Sequence, residues 1–149
     1  MTPIVPNPDE IRETIELVTS TMFDVAPSSR STRGDAARDP VQWTADVAIH
    51  GRFNGTVRIV CSRTIARWAA ATLTECDASD DDARDTLGEL VNVIGGNIKA
   101  LVSEDGEPCR LSLPRADAAP SDDRVVCEWW THLGPEEHDE IGVFLLAAD

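Results

Sequence analysis

The stretch that decides the fold reads DTLGELVNVIGGNIKALV, from Asp85 to Val102. Wound as an α-helix at about 100° per residue, it separates into two faces. One face carries the apolar residues that we expect to be buried, namely Leu87, Leu90, Val91, Ile94, Ile98 and Leu101. The opposite face carries Asp85, Glu89, Asn92, Gly96 and Lys99. The pattern predicts an amphipathic helix that covers a core with its apolar face.

The exposed face of this helix contains residue types that helices usually avoid. Asn92 is a poor helix former, and Gly95 and Gly96 each cost about 1 kcal/mol relative to Ala in a helix interior. Because the most regular helix of the chain contains these unfavourable residues, we infer that the helix has a role beyond packing. We interpret the two glycines as residues that permit close helix packing or the approach of a partner.

The rest of the chain predicts further elements around this helix, which itself begins near Asp80 with Ser79 or Asp80 as its cap. Helical spacing of apolar residues is found in Pro8–Phe23 and in the shorter segment Thr64–Leu73. Strands are predicted for Trp43–His50, Phe53–Cys61, Cys109–Leu113, Arg124–Thr131 and Glu140–Ala147. The polar residues 27–40 predict a mobile loop.

The order of these elements is helix, two strands, two helices and three strands. Such grouping predicts an α+β fold, in which long helices pack on a largely antiparallel sheet. A chain of 149 residues fits a single domain over residues 1–149.

Composition and charge exclude several classes of function. The net charge of −14 argues against nucleic acid and against an anionic membrane surface as partners. No apolar run reaches the length of a membrane span, and the first residues show no signal peptide. We therefore expect a cytoplasmic protein.

Much of the negative charge lies between Glu75 and Asp85, where six acids accompany one arginine. This segment is interpreted either as a solvated acidic loop that favours solubility or as a region that steers a positively charged partner.

Cysteine and histidine do not form a recognisable site. The four cysteines contain no Cys-x2-Cys pair, and no histidine lies at ligand spacing, which argues against structural zinc and for reduced, mostly buried thiols. The three histidines are far apart, and none accompanies a nucleophile motif. A Ser-His-Asp hydrolase is therefore not supported.

Glu89 and Asn92 are the candidate catalytic residues. They are three positions apart on the exposed face, so their side chains are neighbours. Glu89 offers a carboxylate that can pair with a lysine, and Asn92 offers an amide that can donate and accept hydrogen bonds. Such an amide can orient a water molecule without becoming charged.

The run Asp85-x3-Glu89-x2-Asn92-x3-Gly96-Asn97 resembles the signature helix of the CheC/CheX/FliY phosphatases of bacterial chemotaxis. The resemblance extends to the order of elements, to the glycine pair and to a downstream proline. The family's usual gap from Asn to Pro is one residue longer than the gap from Asn92 to Pro114. The first helix has Glu13 and Glu16 without an asparagine at the family's offset, so a single site, as in CheX, is expected.

The resemblance implies a protein phosphatase that hydrolyses the aspartyl phosphate of a CheY-like response-regulator receiver domain. Asn92 would orient the attacking water, and Glu89 would pair with the partner's active-site lysine. Asp85 and Gly96 would join Glu89 in binding the partner. No cofactor is expected on this chain, since the phosphorylated partner would supply Mg²⁺. A homodimer is also implied.

Two other interpretations stay open. One is a non-catalytic docking module of the same fold that binds a receiver or flagellar-switch protein. The other is a small-molecule-binding domain that uses the glycine-containing helix.

Overall fold

The computed structural model describes residues 6–34, 43–103, 109–117, 123–136 and 139–148. These residues form the helices α1 (Pro8–Phe23), α2 (Arg63–Thr74) and α3 (Asp80–Val102). They also form the strands β1 (Ser29–Arg30), β2 (Trp43–His50), β3 (Gly55–Cys61), β4 (Arg110–Leu111), β5 (Arg115–Ala116), β6 (Arg124–His132) and β7 (Glu140–Ala147). The predicted α+β class is confirmed, and the predicted order of the main elements is recovered with β1 and β5 as additional short strands.

The described strands form one antiparallel sheet in the order β1-β6-β7-β3-β2-β4, and β5 also pairs with β2. Strands β2 and β3 form a hairpin, with Trp43 opposite Cys61 and Ile49 opposite Gly55. Strand β7 lies between β6 and β3, which explains why its sequence is apolar on both faces.

Helix α3 is the element that closes the core. It packs on β2 and β3 and also contacts α1 and α2. Its buried residues meet the apolar residues of the strands beneath it, which are spaced two apart as strand geometry requires. The fully buried members of this core include Leu90, Ile94, Ile98, Val47, Ile49, Val57 and Ile59.

The approach of α3 to β2 depends on Gly95. A Cβ atom added at Gly95 would lie 2.5 Å from Cγ2 of Val47, a side chain that is itself buried. No helix side chain fits there unless the helix moves away from the sheet. At the next position, a Cβ added at Gly96 would have no heavy atom within 4 Å. The interpretation of close packing therefore applies to Gly95, and Gly96 leaves space at the surface.

The prediction that Leu101 is buried is wrong. Leu101 is 39% exposed, whereas Val102 is fully buried. The buried stripe runs obliquely around the long helix and ends on Ile98 and Val102.

The predicted strand Cys109–Leu113 is shorter than expected, and a second short strand follows it. Residues Arg110–Leu111 and Arg115–Ala116 pair with two different parts of β2. Between them, Pro114 has no backbone N–H to donate, so the ladder along β2 is interrupted.

The N-terminal loop also contains structure that the sequence did not predict. Within the predicted loop 27–40, residues 29–30 form β1, and they pair with Trp130 and Thr131 of β6. Residues 35–40 lie outside the described residues. In the described ranges, no helix combines the length and the hydrophobicity that a membrane span needs.

The two adjacent glycines of α3 should respond in opposite ways to alanine. Gly95→Ala should lower the free energy of unfolding by about 1–3 kcal/mol, because the new methyl group overlaps Val47. Gly96→Ala should raise it by about 0.5–1 kcal/mol through helix propensity alone. Urea denaturation of the two variants measures both changes. Equal effects of the same sign would contradict the packing assigned to Gly95.

Candidate active site on helix α3

Helix α3 presents Glu89 and Asn92 on the side away from the sheet. Both side chains are exposed, whereas Leu90 and Val91, which lie between them in sequence, are buried. The two polar residues are nearly one turn apart, so their side chains are neighbours on the helix surface. The amphipathic division of α3 thus places both candidate catalytic residues where a partner can reach them.

An open groove of about 840 Å³ lies beside these residues, between the N-terminal half of α3 and the segment 114–116. The pairing of β5 with β2 holds this segment next to the helix. The groove is lined by Asp81, Arg84, Asp85, Gly88, Glu89, Asn92, Pro114 and Ala116. Three of the four predicted site residues, Asp85, Glu89 and Asn92, therefore share one groove.

Gly96, the fourth predicted site residue, lies outside this groove. It is one turn beyond Asn92 toward the C-terminus of α3 and is half-buried. Since a Cβ at Gly96 would meet nothing within 4 Å, the fold itself does not need glycine there. Its small size is instead compatible with a surface that comes close to α3 next to Asn92.

Pro114 lies in the groove despite the shorter spacing from Asn92. It faces α3 at Gly88, where an added Cβ would lie 3.6 Å from Cβ of Pro114. The proline that the resemblance relates to the site is therefore at the site in space.

The side chains of Glu89 and Asn92 are not used by the fold. Neither makes a hydrogen bond or an ion pair with another described residue. The nearby Asn97 behaves differently, since its Nδ2 donates to the carbonyl oxygen of Val93 at 2.8 Å. Asn97 therefore bonds within the fold, whereas among the described residues the polar groups of Glu89 and Asn92 are left for an external partner.

Acidic side chains line the groove in a row. Asp81, Asp85 and Glu89 follow one another at intervals of four residues, which places them along the same side of α3. Asp85 is exposed. The acidic segment 75–85 is therefore only partly a loop, because its second half forms the first turns of α3 and one wall of the groove.

The beginning of α3 is fixed by a capping box. The amide of Asp82 donates to Oγ of Ser79 at 3.1 Å, and the amide of Ser79 donates to Oδ2 of Asp82 at 2.9 Å. This bond from the Ser79 backbone amide lowers the pKa of Asp82. Ser79 is thus the cap, as one of the two predicted alternatives, and the acids of the first turn lie at the positive end of the helix dipole.

One cation, Arg84, also lines the groove, and no pattern in the sequence assigns it a role. The guanidinium of Arg84 lies over the ring of Trp43, with Cζ 4.6 Å from the ring centroid. Its Nε is 3.7 Å from Oδ2 of Asp117. The sequence shows Arg84 as the single base in an acidic run, but no local rule connects it to a tryptophan at the start of β2.

The sequence of helix α1 contains no counterpart of the Glu-x2-Asn pair. An asparagine three residues after Glu13 or Glu16 would have to replace Glu16 or Thr19. Thr19 is fully buried, and its hydroxyl donates to the carbonyl oxygen of Ile15 at 3.0 Å. Of the two long helices, α3 alone therefore carries the Glu-x2-Asn pair.

Thiols and histidines lie apart from the groove. Burial raises the pKa of Cys61 to about 12 and that of Cys127 to about 11, so both thiols are protonated at neutral pH. Cys109 is buried and Cys76 is exposed. Among the described residues, no three His, Cys, Asp or Glu side chains form a metal-binding group. His138 lies outside the described residues.

Helices on one side of an antiparallel sheet, with an exposed Glu-x2-Asn pair on the longest helix, define the CheC/CheX/FliY class of chemotaxis proteins. The family model for the chemotaxis phosphatase CheX matches residues 43–121, slightly more than half of the chain. The chain therefore belongs to the CheX family. A comparison with curated protein sequences gives no significant match.

Solved structures share the whole fold. A CheX–CheY–BeF3–Mg²⁺ complex from Borrelia burgdorferi has a TM-score of 0.72 at 17% identity, over 96% of this chain and 99% of that one. CheX from Desulfovibrio desulfuricans has a TM-score of 0.68 at 21% identity, over 93% and 99% of the two chains. FliY from Thermotoga maritima has a TM-score of 0.62 at 13% identity, over 98% and 93%. At these identities the likeness concerns the fold.

The capping box should matter for the stability of the helix that carries the site. Ser79→Ala removes the acceptor of the Asp82 amide and should lower the free energy of unfolding by about 1 kcal/mol. Asp82→Ala should also destabilise α3, whereas Asp81→Ala should not, because Asp81 makes only a 4.0 Å contact with Arg84. Thermal unfolding followed by circular dichroism compares the three variants.

The contribution of the Asp82 carboxylate to the stability of the fold should depend on pH in a defined direction. Because the folded-state pKa is lowered, the carboxylate stabilises the fold above its ordinary pKa of 3.8, and this contribution is lost as the pH falls through the lower folded-state value. The difference in the free energy of unfolding between the wild type and Asp82→Ala should therefore be constant near neutral pH and shrink in acid. A difference that grows in acid would contradict the capping box.

Proposed function

We propose that this chain is a phosphatase that hydrolyses the aspartyl phosphate of a CheY-like response-regulator receiver domain. The observation that carries the proposal is the pair Glu89 and Asn92. Both are exposed on the wall of one groove, and neither is used by the fold of a chain that belongs to the CheX family. The complex of CheX with CheY, BeF3 and Mg²⁺ from Borrelia burgdorferi supports a receiver as the partner.

In the proposed reaction, Asn92 orients the nucleophile. Its amide oxygen accepts a hydrogen bond from a water molecule, and its amide NH₂ donates to the acceptors around the phosphoryl group. The water oxygen attacks phosphorus in line with the bond to the aspartate, that bond breaks, and the products are an aspartate carboxylate and inorganic phosphate. Positioning supplies most of the catalysis in phosphoryl transfer, so one neutral amide is sufficient as this chain's contribution.

Glu89 holds the partner in the orientation that Asn92 needs. Its carboxylate would pair with the lysine of the receiver's active site, next to the phosphoryl group. Asp85, one turn earlier on the same side of α3, adds negative charge near that lysine and favours the encounter. Gly96 would let the receiver's surface come close to α3 beyond Asn92.

The receiver would bring Mg²⁺ to the complex and hold it on its own carboxylates, where it neutralises charge on the phosphoryl group. This chain would then contribute only contacts between proteins. Because receivers of this kind act inside the cell, the proposed function places the protein in the cytoplasm.

Asn92→Ala should lower the rate of receiver dephosphorylation at saturating receiver by about 100-fold, since the water loses its orientation. Glu89→Ala should instead weaken binding of the receiver by about tenfold, the loss of about 1.4 kcal/mol. The assay measures the decay of acetyl-phosphate-labelled receivers from the same genome, with binding to the BeF3-loaded receiver measured in parallel. Asn97→Ala is the matched control, because Asn97 lies on the same helix and bonds to it internally.

The results separate the proposed phosphatase from a docking module. Wild-type protein that leaves the phosphoryl lifetime unchanged but binds the BeF3-loaded receiver would favour the non-catalytic docking module, which the shared fold of FliY also permits. An Asn92→Ala variant as active as the wild type would show that Asn92 does not orient the water.

We also propose that the protein is a homodimer, in which two copies pair through the outer edge of β6. In the described part of the sheet, β1 covers only Trp130 and Thr131 of this nine-residue strand. An uncovered edge strand can pair with the same strand of a second copy around a twofold axis. The opposite edge of the sheet, β2, is already covered by β4 and β5.

Val125→Lys should convert the proposed dimer to a monomer. Val125 lies on the uncovered part of β6 and is 50% exposed, and a lysine there opposes edge-to-edge pairing. Leu113→Lys is the control, because Leu113 is exposed at the other edge of the sheet. Light scattering after gel filtration gives the mass. A monomeric wild type, or a Val125→Lys dimer, would exclude this interface.

A further inference from the structure

The groove beside Glu89 contains one positive charge among three carboxylates. Arg84 shares the lining with Asp81, Asp85 and Glu89. The proposed reaction uses Glu89 and Asn92 and leaves Arg84 without a role. The contacts of the Arg84 guanidinium indicate which chemical group it can bind.

The guanidinium of Arg84 is stacked on the ring of Trp43. Its Cζ lies 4.6 Å from the ring centroid of Trp43, whose side chain is buried under α3. An arginine stacked on a tryptophan loses less conformational freedom when it binds a carboxylate, and its planar group offers a bidentate contact. This contact favours one orientation of the Arg84 guanidinium in the free protein.

The acidic neighbours of Arg84 do not saturate it. The distance from its Nε to Oδ2 of Asp117 is 3.7 Å, and that from Nη1 to Oδ1 of Asp81 is 4.0 Å. Both exceed a hydrogen-bond distance, and Asp81 is almost fully exposed. Within the described ranges, the guanidinium donates no hydrogen bond. Its five N–H groups are available to an external acceptor.

Arg84 and Glu89 occupy defined positions relative to each other. They are five residues apart on α3, which corresponds to about 7.5 Å along the helix axis and about 140° around it. Arg84 is on the side of the groove toward Trp43 and the segment 114–117, and Glu89 follows toward Asn92. A partner that places a cation opposite Glu89 can place an anion opposite Arg84 in the same docked orientation.

We infer that Arg84 is a specificity-determining residue that binds a carboxylate of the receiver, at the opposite edge of the groove from the lysine bound by Glu89. This inference rests on the proposed function. The groove then recognises a cation at one edge and an anion at the other, about 8 Å apart along the axis of α3 and about 140° apart around it. Because the other charged residues of the groove are acidic, a receiver with no anion at this place gains nothing from Arg84, and one with a lysine there is repelled.

A purely structural role for Arg84 makes a different prediction. Arg84 could act only by holding the segment 114–117 against α3 through Asp117. In that case, Asp117→Ala would impair the site as much as Arg84→Ala does. If Arg84 binds the receiver, Asp117→Ala removes a competing carboxylate and should leave the KM for the phosphorylated receiver unchanged or lower it.

The experiment measures kcat and KM for the phosphorylated receiver with Arg84→Ala, Arg84→Lys and Asp117→Ala. We expect Arg84→Ala to raise KM about tenfold with kcat within twofold of the wild type, and Arg84→Lys to recover part of the loss. Arg63→Ala is the matched control, because Arg63 is a surface arginine paired with Asp80 outside the groove, with Nε 2.9 Å from Oδ1. Thermal unfolding of each variant checks that the fold is kept.

A second measurement identifies the acid on the receiver. Its exposed acidic residues are changed to alanine one at a time, and binding of the BeF3-loaded receiver to wild type and to Arg84→Ala is compared. One receiver variant should bind the wild type about tenfold more weakly than the unchanged receiver does. The same receiver variant should bind Arg84→Ala as strongly as the unchanged receiver binds Arg84→Ala.

The outcomes separate this inference from the function on which it rests. Suppose that the wild type accelerates dephosphorylation, but that Arg84→Ala leaves KM unchanged or that Asp117→Ala raises KM as much as Arg84→Ala does. In either case Arg84 does not bind a carboxylate of the receiver, and the proposed phosphatase stands. If the wild type neither binds nor dephosphorylates any receiver tested, both are overturned.

Discussion

The close contact between α3 and β2 at Gly95 is the constraint on which the rest of the structure depends. Because Gly95 has no side chain, the helix lies directly on Val47, and the apolar stripe on either side of this point is buried. Fixing one face of α3 in this way fixes the other, and Glu89 and Asn92 must then point away from the sheet. The orientation of the candidate site thus follows from the packing of residues that take no part in its chemistry.

The same contact creates the groove. With α3 pressed on β2, the chain that returns along the outer edge of β2 must pass close to the helix. Pro114 interrupts the pairing of that chain with β2, so it forms two short strands with a break, and the break faces the helix at Gly88. One wall of the site is therefore a regular helix, and the other is an irregular segment held at two points.

The features that sequence predicted are those that depend on periodicity. The helical spacing around Leu90 and Ile94 and the alternation in β2 and β7 gave the main elements, and the faces of α3 located Glu89 and Asn92. What sequence missed depends on contacts between distant residues. The exposure of Leu101 follows from the oblique path of the buried stripe, and the contact of Arg84 with Trp43 joins residues more than forty positions apart.

In the proposed function, α3 supplies one half of a site that the receiver completes, and this would account for the unusual composition of the helix. Asparagine at position 92 and glycine at position 96 weaken the helix and add nothing to the core. The capping box at Ser79 and the buried stripe below offset these costs, so the helix forms without help from its exposed face. In the proposed function, the receiver that docks on the exposed face determines which side chains that face needs. This separation would let substitutions at Glu89 and Asn92 change recognition or catalysis while the fold that presents them stays the same.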